Sequence, residues 1–572
     1  MANLSFTENG DKAYNTSGSA CIDFFVRITR SSQLTDYIST FGKAWNEDKN
    51  IAMKILYNLR DIRTGKGEKI IPVAIMTYLK FHLNSDIYNS IVTDFVTMYG
   101  CWKDLLKIVE IETRFRLSTP SVSNKNINPI EIKLFADQLQ KDFDTVNNNT
   151  GSSKVAISLC AKWAPSEKQH YNKAPLLIAD SIRSQMGLTP RQYRKMLTKL
   201  RSHLQVLEML MSTHQYDKID FSKLPSVALM KMKNAFNRDT NSQGIKSDFR
   251  VNLHTSYTKY LQDLSKGKTK VNTKGIQPHE LVGQYLSSSD FDQLVESQWD
   301  AIKKGVSDSG TFNNVTAVVD VSGSMHGQPM QVAIALGILV AECTSGPYHG
   351  RVITFHEKPS WHHLTGSNLM EKVKCMRDAP WGGSTNMKSV FDLVLQNAIN
   401  AKLKPHEMID TLFIFTDMQF NQCDCSGLES TFEYGQRKFT EAGYTFPKVV
   451  CWNLRTSNSK SLPLMKNDEG YVMLSGFSAE LLKCIMNAEE FNPMSMLLHV
   501  LEPYVLNPVF INSETVDINS IIDDESNKNN FNKAVERSKF KKAYKKSSNT
   551  NSTTNSMNPR RSTVSSEDWV LN

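Results

Sequence analysis

At 572 residues the chain is too long for one hydrophobic core, so two or three domains are expected. Its 40% hydrophobic and 22% charged residues are the balance of a soluble globular protein and exclude a collagenous or wholly disordered chain. The net charge of +9 is uneven: residues 1–300 hold 40 Lys and Arg against 30 Asp and Glu, residues 301–500 only 17 against 19. No basic region precedes an apolar start, so no signal peptide is expected, and the longest apolar run, VAIALGILVA, is too short to span a bilayer. The nine cysteines are scattered, with Cys423 and Cys425 the one close pair. Without a second pair at zinc spacing they read as free thiols of a reducing, intracellular setting, the cytoplasm before the nucleus.

Apolar residues at three- and four-residue spacing predict helices over 51–63, 70–83, 130–143, 175–187, 191–212 and 227–238. Paired helices joined by polar links are the pattern of an α-solenoid over residues 1–306. TGKGEK at 64–69 lacks the Gly-x-x-x-x-Gly-Lys-Ser/Thr spacing of a phosphate loop and reads as a basic turn between helices. Residues 151–200 carry nine basic and two acidic residues. Such a stripe is either a row of solvated helix faces or the footprint of a polyanion.

SDSGTFNN, 307–314, reads as a linker. From Val315 to about residue 495 the pattern changes. VTAVVDV, RVITF, DTLFIFTD, KVVCWNL and YVMLSG are strand candidates, and helical stretches alternate with them. That is the signature of a parallel, doubly covered sheet, an α/β domain. Residues 496–512 add a closing helical segment. Residues 513–572 are polar, Asn/Ser-rich and locally basic, and are expected to be largely disordered.

In VTAVVDVSGSM an apolar strand ends at Asp320 and the chain turns through Ser322 and Ser324. Ligands in open α/β sheets bind at the carboxyl ends of strands. One carboxylate and two hydroxyls form a hard-oxygen set, suited to Mg²⁺ or Mn²⁺ and not to Zn²⁺. WGGST then places Ser384 and Thr385 in a turn before a helix, and LFIFTD ends a second buried strand at Asp417. Read separately, Asp320 and Asp417 are helix caps and Thr385 a turn residue. Together, and in this order, they make a metal site the better reading, with Thr385 preferred to Ser384.

The Asp-x-Ser-x-Ser stretch resembles the first loop of a metal-ion-dependent adhesion site, the signature of the von Willebrand factor A fold. NLSFTENGDKAYNTSGSACIDFF, LRDIRTGKGEK, YGCWKDLL, AKWAPSE and YRKMLTKLR resemble an uncharacterised family of eukaryotes and large DNA viruses that joins a helical region to a von Willebrand A-like module. That family is in turn similar to the TROVE proteins, with a distant resemblance to the Ro ribonucleoprotein. The resemblance covers roughly residues 1–500. It implies a TROVE-like, HEAT-like helical region, an A-like module with the metal set Asp320, Ser322, Ser324, Thr385 and Asp417, and RNA binding by the helical part.

Neither a Gly-x-Ser-x-Gly elbow nor His-Glu-x-x-His occurs, and the metal set supplies ligands without an acid or base, so no enzyme is expected. The expected function is a metal-dependent scaffold of ribonucleoprotein type. Its metal would take an Asp or Glu from a protein partner. RNA would meet Lys162, Lys168, Lys173, Arg191, Arg194, Lys195, Lys199 and Arg201, with Lys154 and Arg183 in the same stretch, while Trp163, His170, Tyr171 and Tyr193 offer stacking. The alternatives are a protein-interaction module without RNA, and a metal-dependent hydrolase. No membrane partner is expected.

Overall fold

A computed structural model describes residues 3–30, 36–119, 130–149, 155–240, 244–310, 312–355, 358–379, 386–422, 429–455, 461–516, 518 and 525–538. The N-terminal region is mostly helical and the C-terminal region is a mixed α/β sheet domain. The chain forms two compact units, residues 1–100 with 220–520, and residues 101–219 with 521–572. No described helix is long and apolar enough to cross a membrane.

The first unit begins with an antiparallel hairpin, β1 (Leu4–Phe6) and β2 (Lys12–Tyr14). Short strands β3 (Phe312–Asn313) and β5 (Thr344–Ser345) pair in parallel. The main sheet contains β4 (Val315–Asp320), β6 (Arg351–Phe355), β7 (Ser360–His363), β8 (Thr411–Thr416), β9 (Lys448–Asn453) and β10 (Tyr471–Ser475). Their spatial order is β10-β9-β8-β4-β6-β7. All are parallel except the edge strand β7, which runs antiparallel to β6. Every residue of the central strands β4 and β8 is buried, as expected of strands covered on both faces. The helix Gln328–Cys343 lies so close to β4 that a Cβ at Gly337 would come 2.5 Å from Val319 Cγ2.

The five parallel strands fall on the five predicted runs. β7, SWHH, is an edge strand without a period-two apolar pattern, and sequence reading misses it. Helices of the N-terminal region belong to this unit too. The TGKGEK turn connects the helices Lys49–Arg60 and Ile71–Leu79. Lys66 points inward: its Nζ donates to Ser475 Oγ at 2.6 Å and to the Phe25 carbonyl, and lies 3.9 Å from the centre of the Phe25 ring. Gly476, at φ +113°, leaves room for it, since a Cβ there would sit 3.0 Å from Lys66 Cγ. The buried Glu68 pairs with Arg30 at 3.4 Å. The motif is therefore a clasp at the carboxyl end of β10.

The second unit is helical: Lys103–Ser118, Ile130–Asn148, Ile178–Gln185, Pro190–Leu204, Leu207–Ser212 and shorter turns. The single helix predicted over 191–212 is two, because Gln205 turns left-handed at φ 51° and ends the first. Residues 525–538, inside the segment expected to be disordered, form a helix. Phe531, Ala534 and Val535 share one face at i, i+3, i+4 and are buried, with Phe531 edge-on to Phe115 at 5.2 Å. A polar helix with one short apolar seam is easily mistaken for disorder. In the first unit Trp45 Nε1 donates to the Val516 carbonyl at 3.0 Å, so the chain is held past residue 513 as well. Residues 539–572 lie outside the described residues.

Two outcomes follow. Phe531→Ala empties part of a buried seam and is expected to destabilise the protein by about 3 kcal/mol in denaturant unfolding; an unchanged midpoint would mean that this helix does not dock. Burial pushes the Lys66 ammonium down to about 7, with Glu68 opposing. The unfolded chain keeps that proton up to the ordinary lysine value, so this group makes stability rise with pH from about 7 upward, by at most about 1.4 kcal/mol per pH unit. Lys66→Met removes that slope from a pH series of urea unfolding; parallel curves for the two proteins would refute it.

Candidate metal centre at the carboxyl edge of the sheet

β4 and β8 are neighbours in the sheet, and their carboxyl ends bring Asp320 and Asp417 to one edge. Both aspartates and Ser322 are buried, while Ser324 is exposed. The turn after β4 folds back on the first carboxylate: the Ser322 backbone N–H donates to Asp320 Oδ1 at 2.9 Å. Ser322 Oγ and Ser324 Oγ are 3.1 Å apart, so the residues spaced by two do present their hydroxyls together. Gly323–Met325 form a short 3₁₀ turn, and Gly327, at φ 91°, starts the helix Gln328–Cys343.

Thr416, the last residue of β8, donates its hydroxyl to Asp320 Oδ2 at 2.7 Å and accepts from the Met418 N–H at 3.2 Å. Met418 is left-handed at φ 62°, which turns the chain sharply after Asp417. Asp417 Oδ1 accepts from the Gln419 N–H at 3.2 Å. Burial pushes the Asp320 carboxyl up to about 6, and the Asp417 charge adds to the rise; the Thr416 hydroxyl and the Ser322 N–H oppose it. Two carboxylates thus repel each other out of water, with hydroxyls beside them.

This donor set fits a hard divalent cation. Its atoms are carboxylate and hydroxyl oxygens, and a positive ion would relieve the repulsion between Asp320 and Asp417. Among the described residues no three His, Cys, Asp or Glu side chains gather as a metal-binding group; the set here counts two carboxylates and otherwise hydroxyls. Ser384 and Thr385 lie outside the described residues.

Sequence reasoning missed the supports around the set. Thr416 precedes Asp417, and its inward reach depends on strand pairing that the sequence alone does not specify. Arg455, after β9, donates to the Ser324 carbonyl. Gln328 contacts His279 Nε2 at 3.0 Å, and burial pushes that imidazole down to about 3, so it is neutral. The hairpin loop covers the chain just past Asp417: Thr7 Oγ1 donates to the Phe420 carbonyl at 2.6 Å, and Gln419 Oε1 accepts from the Glu8 N–H at 2.7 Å. Nothing in the first ten residues signals that role.

The basic stretch belongs to the second unit. Lys168, Lys173, Arg191, Arg194, Lys195 and Lys199 are exposed; Lys162 and Arg201 are half-buried. Arg191, Arg194 and Lys195 stand on the helix Pro190–Leu204, which a Thr189–Gln192 capping box starts. Arg194 pairs with Glu167, Lys199 meets Asn147, and Lys162 approaches Glu208 at 3.6 Å. Arg201 is spent on structure, donating to the carbonyls of Ala161 at 2.9 Å and Ala164 at 2.6 Å. Tyr193 is buried, its hydroxyl on the Pro165 carbonyl, and offers no stacking face. His170 and Lys107 both reach the buried Glu110, at 3.3 and 2.8 Å. Burial would raise that carboxyl, but Lys107, Arg114 and His170 hold it below its ordinary value.

Residues 7–129 and 130–312 match a family described as a domain of unknown function, DUF2828. Residues 314–541 match a second domain of unknown function, DUF7788. The first match spans more than half of the chain, and the protein belongs to the DUF2828 family.

Proposed function

We propose that this protein is a non-enzymatic scaffold whose α/β domain, of von Willebrand A type, holds Mg²⁺ or Mn²⁺ and offers it to a carboxylate of a protein partner. The observation that carries this reading is the meeting of Asp320 and Asp417, buried at adjacent strand ends, with the Ser322 and Ser324 hydroxyls 3.1 Å apart. These four residues would hold the ion. Two carboxylates and neutral hydroxyls leave it able to take one more oxygen ligand. The protein's own groups set that donor arrangement: the Ser322 N–H and the Thr416 hydroxyl fix Asp320, and the Arg455 contact fixes the serine turn. The set supplies oxygen donors and no imidazole or amine among its members, which favours binding over acid–base chemistry.

A second reading, RNA binding by the second unit, is favoured by Arg191 and Lys195. They are exposed at helical i, i+4 spacing, and neither has an ion pair among the described residues. The two readings are compatible, as in a ribonucleoprotein-type scaffold.

Asp320→Ala should abolish Mn²⁺ binding in titration calorimetry while the protein stays folded; equal affinity in the variant would reject the site. Replacing Arg191 and Lys195 by Gln should lower the salt slope of RNA filter binding by about one unit per lost phosphate contact. No retention by the intact protein at low salt, or an unchanged slope, would reject the RNA reading.

A further inference from the structure

Cys375 stands on the helix Leu369–Arg377, which packs near the edge strand β7. Its Sγ lies 3.2 Å from His362 Nε2. The same ring nitrogen lies 3.2 Å from the Cys375 carbonyl oxygen. A sulfur and a carbonyl thus converge on one nitrogen, and the sulfur also lies 3.5 Å from the His363 carbonyl oxygen, to which its S–H donates. The Thr365 hydroxyl also donates to the sulfur, at 3.5 Å. Among the other described thiols Cys21, Cys160, Cys343 and Cys451 are buried, while Cys101 and Cys484 are half-buried like Cys375; burial raises the Cys484 thiol.

Space beside the sulfur can admit a ligand. A recess of about 340 Å³ is lined by Cys375 with Thr365, Gly366, Glu371, Lys374 and Asp378. Gly366 also walls a second cavity of about 420 Å³, whose lining includes Lys303, Lys304, Lys372 and Glu342. Lys303 and Lys372 are paired with Glu342, at 3.5 and 2.6 Å. Lys304 and Lys374 have no ion pair among the described residues. Glu371 and Asp378 oppose a thiolate in the first recess; Lys374, His362 and the Thr365 hydroxyl favour it.

We propose that Cys375 and His362 form a reactive thiol–imidazole pair that exchanges with small anionic disulfides, with Lys304 and Lys374 drawing the anion in. This site is independent of the metal centre. The Cys375 S–H proton passes to His362 Nε2. The thiolate attacks one sulfur of the disulfide; the protein–sulfur bond forms as the disulfide S–S bond breaks. The departing thiolate takes the proton from the imidazolium. The incoming disulfide is the oxidant, and the product is a mixed disulfide on Cys375 plus one free thiol.

The test uses the full chain, oxidised glutathione as the probe, and peptide mass spectrometry as the readout. The Cys375 adduct is expected to form about tenfold faster than the Cys484 adduct, and His362→Asn to slow it by about tenfold. Rates at Cys375 no faster than at Cys484 would overturn the proposal, and that comparison needs no variant. An unchanged rate in a folded His362→Asn protein would overturn it too. Lys304→Gln with Lys374→Gln should slow oxidised glutathione more than the neutral hydroxyethyl disulfide; equal slowing would overturn the preference for anions.

Discussion

A parallel strand buried on both faces has no room for unpaired charge along its length, so charged side chains collect at its ends. β4 and β8 show the consequence: six buried residues each, with Asp320 the last of one strand and Asp417 directly following the other. β9 and β10 end likewise in polar residues, Asn453 and Ser475. The carboxyl edge is therefore where this domain must satisfy its polar groups, and it does so differently along its length. At β9 and β10 the N-terminal helical region supplies the partners: Asn453 donates to the Val26 carbonyl at 3.0 Å, and Ser475 meets Lys66 and Phe25. At β4 and β8 the two carboxylates lie at neighbouring strand ends with hydroxyls and N–H donors, and the partner proposed for them is a divalent cation.

That division explains why helices from the first hundred residues fold with the sheet as one compact unit. The TGKGEK turn spends a lysine inside the fold, at a cost in hydration offset by hydrogen bonds and the Phe25 ring. The hairpin loop at Thr7 and Glu8 holds the chain that leaves Asp417. Both segments are basic or polar, and neither would be assigned to an α/β core by composition.

The five parallel strands were legible because they are unbroken apolar runs, and the turns at Asp320 and Asp417 because polar residue types follow those runs. What stayed hidden has physical causes. The helix Lys103–Ser118 buries Lys103, Asp104, Lys107, Glu110 and Glu112, so its charged core obscures the apolar period. Phe531, Ala534 and Val535 make too short a seam to stand out in an Asn-rich stretch. Thr416 and Arg455 act through tertiary neighbours. Arg201 and Tyr193 belong to the basic stretch in sequence, yet the fold turns them to internal carbonyls. Charge counted along a chain says how many cations there are; only the fold says how many remain for a partner.

The central claim is that the Asp320–Asp417 edge is built around a divalent cation. Anomalous scattering at the manganese edge, from crystals of the full chain grown with Mn²⁺, tests it most directly. The account predicts one strong peak within ligand distance of Asp320 or Asp417 and of the Ser322 and Ser324 hydroxyls. A well-ordered edge without such a peak, or manganese bound only elsewhere, would contradict it.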